Sequence, residues 1–203
     1  STASITMTDP QNGLSTLSEP APISFHFRLA TLSDIPALVN LIDLSIRQLS
    51  VGYYTQSQID GSIGFIFAPD TLLIDDKTYF IIYPSTQPEL IVASGGWSFR
   101  KTLYGGDRAP GRLPARRDPA TDRASIRAIF THPDWSRRGL GSKMLRYCEE
   151  AARTGGFERL EMGSTLTGVK LYEKSGYVRS GVEDVVKLGN GDSLKVVHME
   201  KDL

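Results

Sequence analysis

The sequence predicts an α/β protein with a mixed sheet of about seven strands flanked by about four helices. Two observations lead to this fold class. Short apolar runs with strand character alternate along the chain with stretches of helical periodicity. The last two strands are separated only by the four residues 189–192 (GNGD), which is typical of a hairpin and makes part of the sheet antiparallel.

The N-terminal half predicts three strands and two helices. In the first helix, apolar residues recur at helical spacing from Ile35 to Leu49, with Ser33 as a cap and Pro36 in the first turn. The elements expected here, in order, are a strand at 23–31, helices at 33–49 and 54–67, and strands at 76–84 and 89–103.

The C-terminal half predicts four further strands and two helices. The longest helix begins at Leu140, keeps an apolar face through Ala152 and stops at Gly155-Gly156. The remaining elements are strands at 124–131 and 157–165, a short helix at 168–176, and strands at 182–188 and 193–200.

The length of 203 residues fits one domain, assigned to 24–203. Residues 1–23 are rich in Ser, Thr and Pro, and we expect them to form an arm outside the core. A partner subunit is the expected anchor for this arm, which makes a homodimer plausible. Residues 105–122 hold Gly, Pro, Arg and Asp and predict a long loop.

Composition argues against several classes of protein. The net charge is zero, so no overall field attracts nucleic acid or an acidic membrane. No apolar run approaches the roughly 20 residues of a membrane span. Cys148 has no second cysteine to pair with, and the polar N-terminus lacks a secretion signal, so we expect a cytoplasmic protein. No metal site is predicted.

One short stretch has the pattern of an anion-binding site. Residues 137–142 read RRGLGS, with two arginines and two glycines at the predicted start of the long helix. A helix start leaves several N–H groups without intrahelical partners and is the positive end of the helix dipole. Glycines let the backbone approach a ligand closely. This stretch therefore predicts a site for a phosphate or pyrophosphate.

Two common phosphate loops fit this stretch badly. The run from Gly139 begins like the dinucleotide fingerprint but lacks its third glycine. The pattern GxxxxGK[ST] does not occur, which argues against a nucleoside triphosphatase.

A third pattern fits better. Residues 136–141 (SRRGLG) resemble the acyl-CoA-binding loop of the GNAT acetyltransferase superfamily, [RQ]-x-x-G-x-[GA], with Ser136 at the first position. Residues 171–177 (LYEKSGY) resemble the family's C-terminal helix motif. The two motifs occur in the right order, and the resemblance extends over about 24–203.

The resemblance implies a mode of cofactor binding. In such proteins the strand before the loop splays from its neighbour, and the pantetheine arm of acetyl-CoA pairs with the exposed backbone, here that of Ile129, Phe130 and Thr131. The pyrophosphate would lie on the amides at the helix start. Thr165 and Lys174 are further contacts. The predicted loop residues are Arg137, Arg138, Gly139, Leu140, Gly141 and Ser142.

The resemblance also implies catalytic roles. Tyr172 matches the tyrosine that lies beside the CoA sulfur and acts as general acid, although a tyrosine that only packs its ring is the alternative. Glu161 resembles a glutamate that some relatives use as base; a solvated strand glutamate is its alternative. Cys148 lies on an apolar helix face, where we expect its thiol to be buried and inert. Direct transfer is therefore favoured over an acyl-enzyme.

The acceptor site is less sharply predicted. Substrate contacts in this superfamily come from the first two helices and their connection, which holds Tyr53 and Tyr54. Trp97 is a further candidate for the pocket wall. The arginines of the 105–122 loop predict either a solvated loop or a mobile lid that favours an acidic substrate.

Three functions follow in order of preference. The first is an N-acetyltransferase that moves an acetyl group from acetyl-CoA directly to a primary amine of a small molecule or peptide. The second is a non-catalytic protein that binds or senses acyl-CoA. The third is a structural α/β protein whose glycines only cap a helix.

Overall fold

The computed structural model of the protein describes residues 22–203. Nearly all of the predicted arm at 1–23, with the predicted role of a partner subunit in holding it, lies outside the described residues. Among residues 22–203, no helix combines the length and the apolar character that crossing a membrane requires.

In the described part of the chain, seven strands form one open sheet, as predicted. They are β1 (Phe25–Leu29), β2 (Tyr79–Pro84), β3 (Ala93–Ser98), β4 (Ala124–Thr131), β5 (Arg159–Ser164), β6 (Val178–Lys187) and β7 (Ser193–Asp202), in the spatial order β1-β2-β3-β4-β5-β7-β6. The β4–β5 pair is parallel and the other neighbours are antiparallel. The sheet is therefore mixed, and its single parallel pair lies near the middle.

Within residues 22–203, five α-helices flank the sheet, one more than predicted. They are α1 (Ile35–Leu49), α2 (Gln56–Ser62), α3 (Thr71–Asp75), α4 (Leu140–Thr154) and α5 (Val169–Lys174). The additional helix, α3, has five residues and is capped by the Asp70 side chain, which accepts a hydrogen bond from the Leu72 amide. A single turn is too short to produce the apolar periodicity by which the other helices are predicted.

The second helix is shorter than predicted. It ends at Ser62, and the backbone leaves the helical region at Ile63 (φ −65°, ψ 132°). Gly64 then has a φ of 82°, a left-handed value that an α-helix does not contain. The apolar side chains of Ile66 and Phe67 are nevertheless buried, and they pack in a turn instead of on a helix face.

The two long helices cover opposite faces of the sheet. The apolar stripe of α4, from Leu140 through Met144 and Cys148 to Ala152, packs on β3 and β4. On the other face, the buried side of α1 supplies Leu38 and Ile42, among others, to two smaller clusters. Burying apolar area on both faces provides the main driving force for this arrangement.

The parallel pair separates soon after it begins. Strands β4 and β5 are paired only at Ala124–Leu160 and Ser125–Glu161. In β4 the register against β3 then shifts by one residue, and Ala128 in this bulge has a φ of 56°. Bulges bend the strand that carries them. The predicted splay of the sheet is therefore present, at the position that the resemblance implied.

The loop at 105–122 is attached to the rest of the molecule at two arginines. Arg112 donates a hydrogen bond to Asp70 Oδ1 (2.9 Å) and, within the loop, a second one to the Gly106 carbonyl (3.1 Å). Arg117 donates to Glu161 Oε1 and to the carbonyl of Arg123 (2.7 Å). These contacts favour a fixed loop over the alternative of a mobile lid.

Candidate active site

A cavity of about 240 Å³ occupies the gap between β4 and β5. Its walls come from the end of α1, the segment before α3, the start of the 105–122 loop, β4, and the residues that lead into α5. Most lining side chains are apolar. Among the residues that the structure describes, Asp70 and Arg127 are the only charged residues in the lining.

The edge of β4 that faces the cavity is open. Ile129, Phe130 and Thr131 all line the cavity, and beyond Ser125 this edge has no pairing with β5. Backbone N–H and C=O groups on an unpaired strand edge can bind an extended chain that contains amides. The three residues predicted to contact the pantetheine arm therefore lie together at an edge that is free to bind it.

The start of α4 leaves its amides free. Gly139 is the N-cap residue, with φ 74° and no side chain that could cap the first turn. Arg137 also has a positive φ, 61°, and a non-glycine residue in this region stores strain of the kind often found at ligand sites. A Cβ placed on Gly139 would meet no atom within 4 Å, so the surface there is open.

The helix start and the cavity adjoin each other at Gly141. A Cβ on Gly141 would lie 3.4 Å from Thr131 Oγ1 and 3.4 Å from Leu171 Cδ2, and both Thr131 and Leu171 line the cavity. Arg138 packs its guanidinium over the Trp135 ring, 4.7 Å from the centroid. A ligand with an anionic end and an extended arm can thus lie on the helix start and continue into the gap.

Tyr172 lies on the cavity wall in α5. The residue is only 8% exposed, its ring packs edge-on against Tyr177 at 6.0 Å, and burial raises the pKa of its hydroxyl. Within residues 22–203 the hydroxyl makes no hydrogen bond, so it is available to a ligand in the cavity. Gly168 makes room for the ring, because a Cβ there would lie 2.7 Å from Tyr172 Cε2.

The two other predicted cofactor contacts differ in their surroundings. Thr165 lines the cavity, and its hydroxyl accepts a hydrogen bond from the Gly168 amide (3.0 Å), which shapes the turn into α5. Lys174 is exposed in the last turn of α5 and does not line the cavity.

Glu161 is held outside the cavity. Its carboxylate pairs with Arg117, and Glu161 is not among the residues that line the cavity. Gly163 lies on the same face of β5 and does line the cavity, so the ion pair with Arg117, and not the face of the strand, keeps the Glu161 carboxylate away from the lining. The role of Glu161 as base stays a prediction, and its position outside the cavity lining argues against that role.

The three aromatic residues predicted for the acceptor pocket also lie outside the lining. Trp97 packs among Phe99, Phe157 and the residues of α4 on the other face of the sheet. Tyr54 is buried, donates a hydrogen bond to the Lys195 carbonyl (3.0 Å) and accepts one from the Leu166 amide (2.9 Å). Tyr53 is 43% exposed. Their substrate roles stay predictions.

The sequence interpretation missed a buried ion pair in the cavity. Arg127 in β4 donates to Asp70 Oδ2 (3.0 Å), and both side chains are 3% exposed. Arg112 binds the other oxygen of Asp70. Burial raises the pKa of Asp70, but the hydrogen bond from Arg112 and the charge of Arg127 outweigh it, so this pKa lies below its usual value.

A second missed group joins three elements at the edge of the cavity. The Tyr104 hydroxyl donates to Asp184 Oδ2 (2.7 Å), and His198 Nε2 lies 2.8 Å from the same oxygen. Tyr104 lines the cavity, whereas His198 is partly exposed. Burial and the Asp184 carboxylate both raise the pKa of the Tyr104 hydroxyl. The three side chains form a chain of hydrogen bonds that leads from the cavity to solvent.

Comparison with known proteins adds to this geometry. The model of the acetyltransferase (GNAT) family matches residues 52–177, which is more than half of the chain. The chain belongs to the GNAT acetyltransferase family. It is therefore an acyltransferase, and acetyl-CoA is the acyl donor of its family. A search of curated proteins finds no match.

Solved structures of GNAT proteins share the fold. A GCN5-related N-acetyltransferase from Rhodopseudomonas palustris aligns with a TM-score of 0.61 at 18% identity, over 88% of this chain and 95% of its own. PaiA N-acetyltransferase from Thermoplasma acidophilum, crystallised with coenzyme A, aligns at 0.59 and 13% identity, over 89% and 99%. An N-acetyltransferase from Staphylococcus aureus Mu50 aligns at 0.56 and 17% identity, over 88% and 98%.

The GNAT chain described here has the features that an acyl-CoA requires. The uncapped α4 start offers N–H groups and the positive end of a helix dipole to a pyrophosphate. The open edge of β4 offers backbone groups to the amides of the pantetheine arm. Because these two features meet at Gly141, one elongated cofactor can bind both of them.

Proposed function

We propose that the protein is an N-acetyltransferase that moves an acetyl group from acetyl-CoA directly to a primary amine of a small molecule or peptide. The observation that carries this proposal is the cavity between β4 and β5, which joins an open strand edge to a set of side chains suited to acid–base chemistry. A non-catalytic acyl-CoA-binding protein would need the edge and the helix start, but not those side chains.

Cofactor binding is assigned to three groups of residues. The backbone of Ile129, Phe130 and Thr131 would hold the pantetheine arm, and Thr165 borders the same space. The amides from Arg137 to Ser142 would hold the pyrophosphate. Arg137, Arg138 and Lys174 supply positive charge for the phosphate groups. Bound acetyl-CoA supplies the acetyl group as a thioester.

The acceptor amine must lose a proton before it can attack. An alkylamine with a pKa near 10 is almost wholly protonated at pH 7, and reversing this costs roughly 4 kcal/mol. The chain Tyr104–Asp184–His198 is suited to carry that proton away. Tyr104 lines the cavity, and as its Oη takes the amine proton its own proton moves to Asp184 Oδ2. His198, in the tautomer with an unprotonated Nε2, then takes that proton from Asp184 and releases its Nδ1 proton to solvent. Histidine is the side chain that exchanges protons most readily near neutral pH.

In this scheme the new N–C bond forms as the C–S bond breaks, and the proton that the nitrogen loses on forming the amide balances the one that the departing thiolate gains. Burial raises the pKa of the Tyr172 hydroxyl, so Tyr172 keeps its proton at Oη and is suited to donate a hydrogen bond to the thiolate. Cys148 is fully buried, and burial raises the pKa of its thiol. A neutral, inaccessible thiol is a poor nucleophile, which supports direct transfer over an acyl-enzyme.

The experiment is thiol release from acetyl-CoA in the presence of a panel of primary amines. We expect turnover by the wild-type protein. We expect Asp184→Asn to lose at least tenfold in kcat/KM at pH 7, with a loss that shrinks as the pH approaches 10, where the free amine needs no base. Glu161→Gln is the matched comparison. If Glu161→Gln shows this behaviour and Asp184→Asn does not, Glu161 is the base.

Two other outcomes would favour the alternatives. Coenzyme A binding without turnover on any amine would indicate a binding or sensing protein. Failure of coenzyme A to raise the melting temperature would indicate a protein whose glycines only cap a helix. A homodimer and a cytoplasmic location stay predictions.

A further inference from the structure

The acceptor side of the cavity contains a buried guanidinium with unused donors. Arg127 lies in β4, two residues beyond the last pairing with β5, and lines the cavity. Both of its hydrogen bonds use Nη2, one to Asp70 Oδ2 (3.0 Å) and one to the Gly105 carbonyl (2.7 Å). A guanidinium has five N–H donors, so Nε and Nη1 have no acceptor within residues 22–203.

These unused donors reach open space. In the described part of the chain, Tyr79 Oη is the only fully buried side-chain polar atom without a hydrogen-bond partner. Nε and Nη1 of Arg127 are therefore not sealed in the core. Because Arg127 is 4% exposed overall and lines the cavity, the space that its free donors reach is the cavity.

The local charge balance is positive. The single carboxylate of Asp70 is shared between Arg127 and Arg112, which leaves one positive charge in excess at this end of the cavity. Asp107 is exposed and binds Thr71, so solvent screens its charge. Arg127 is a buried cation with free donors, and it shares its counter-ion with a second arginine. Such a group is suited to bind an anionic group of a ligand.

We infer that the acceptor is an amine that also bears a carboxylate, and that Arg127 binds this carboxylate. The inference rests on the proposed transfer to an amine and names the chemical class of the acceptor. Charge-assisted hydrogen bonds in an apolar cavity are stronger than neutral ones, so the carboxylate fixes the orientation of the acceptor while its amine faces the acyl donor.

The test compares ligands that differ only in this group. The ω-amino acids from β-alanine to 6-aminohexanoate are matched with their amides, whose amines have the same length of chain. Binding to the full chain loaded with coenzyme A is measured by calorimetry, and acetyl transfer is measured by thiol release. We expect at least one chain length to show a tenfold or greater preference for the carboxylate in both Kd and kcat/KM.

Two substitutions locate the preference. Arg127→Gln and Arg112→Gln each remove one guanidinium from Asp70, but Arg112 does not line the cavity. We expect the preference to vanish in Arg127→Gln and to persist in Arg112→Gln. Arg127→Lys keeps the charge, and we expect it to retain part of the preference even if Arg127→Gln fails to fold.

The outcomes separate the inference from the proposed function. Equal binding of carboxylates and amides by the wild type, or loss of the preference in Arg112→Gln alone, overturns the inference and leaves transfer to an amine intact. Selective binding of carboxylates without acetyl transfer supports the assignment of Arg127 as the carboxylate site and contradicts the proposed function. An absence of binding by every ω-amino acid overturns the inference.

Discussion

Removing one oxygen atom from Tyr172 tests its proposed contact with the thiolate. The Tyr172 hydroxyl makes no hydrogen bond within residues 22–203, so Tyr172→Phe removes no intramolecular hydrogen bond and leaves the ring packed against Tyr177. A hydrogen bond to a charged group contributes about 1.5–3 kcal/mol. If this bond forms only as the thiolate develops, kcat falls by about 10–150-fold.

Tyr177→Phe is the matched control for this substitution. The Tyr177 hydroxyl is buried and donates to Glu149 Oε2 (2.9 Å), an oxygen that Lys201 also contacts at 2.9 Å. Losing one of two donors to a buried carboxylate costs about 1–2 kcal/mol of folding free energy, or roughly 2–8 °C in Tm for a domain of this size. We expect no change in kcat, because Tyr177 does not line the cavity.

The two variants should therefore have opposite signatures. Thiol release at saturating acetyl-CoA gives kcat, calorimetric titration gives the Kd of coenzyme A, and thermal unfolding gives Tm. Tyr172→Phe should lower kcat with Kd and Tm little changed, whereas Tyr177→Phe should lower only Tm. A Tyr172→Phe enzyme within twofold of the wild-type kcat, or an equal loss in both variants, would refute the role assigned to Tyr172.

Three further predictions concern buried groups. Asp70→Asn leaves the buried Arg127 without its counter-charge and should cost about 3 kcal/mol in urea unfolding at pH 7; a cost below 1 kcal/mol would contradict a buried ion pair. The pKa of Asp70 in the folded protein is lowered from 3.8, so the ionised carboxylate contributes fully to the free energy of unfolding above pH 3.8. This contribution is lost as the pH falls through the lower pKa of the folded state. The wild type should therefore be no more stable than Asp70→Asn in acid. Cys148 is fully buried with a raised pKa, so a thiol reagent should label it only after unfolding, and rapid labelling of the native protein would show that it is accessible.

The cofactor half of the predicted site rests on local sequence signals. The glycines and arginines at 137–142 and the motif at 171–177 each lie in one short continuous stretch at the end of a helix. The splay of β4 follows from the resemblance, and the structure confirms it. Periodicity likewise identifies α1 and α4, because each buries one stripe of its surface.

The acceptor half depends on distant contacts that no local pattern reveals. Asp70 meets Arg127 across 57 positions, and Tyr104 meets Asp184 across 80. The β6–β7 hairpin register indicates one of these contacts, that of Asp184 with His198. Asp184 pairs with Val196, and His198 lies two residues further along β7 on the same face of the sheet.

Trp97 illustrates the limit of strand periodicity. Every residue of β3 is buried, so the strand shows no alternation from which the face of Trp97 could be predicted. Side chains on both faces of β3 are apolar or small, and only the packing of α4 identifies the face that Trp97 occupies. Its position on the α4 side therefore could not be read from the residues around it.

The most direct test of coenzyme A binding in the gap between β4 and β5 is calorimetric titration of Gly141 variants. A Cβ at Gly141 would lie 3.4 Å from Thr131 Oγ1 and from Leu171, so Ala fits, whereas Val adds two methyl groups at the junction of helix start and cavity. We predict that the wild type and Gly141→Ala bind coenzyme A with similar Kd, and that Gly141→Val binds at least tenfold more weakly while it still unfolds in one cooperative thermal transition. Equal affinity of all three proteins, or no binding by the wild type, would contradict cofactor binding at this position.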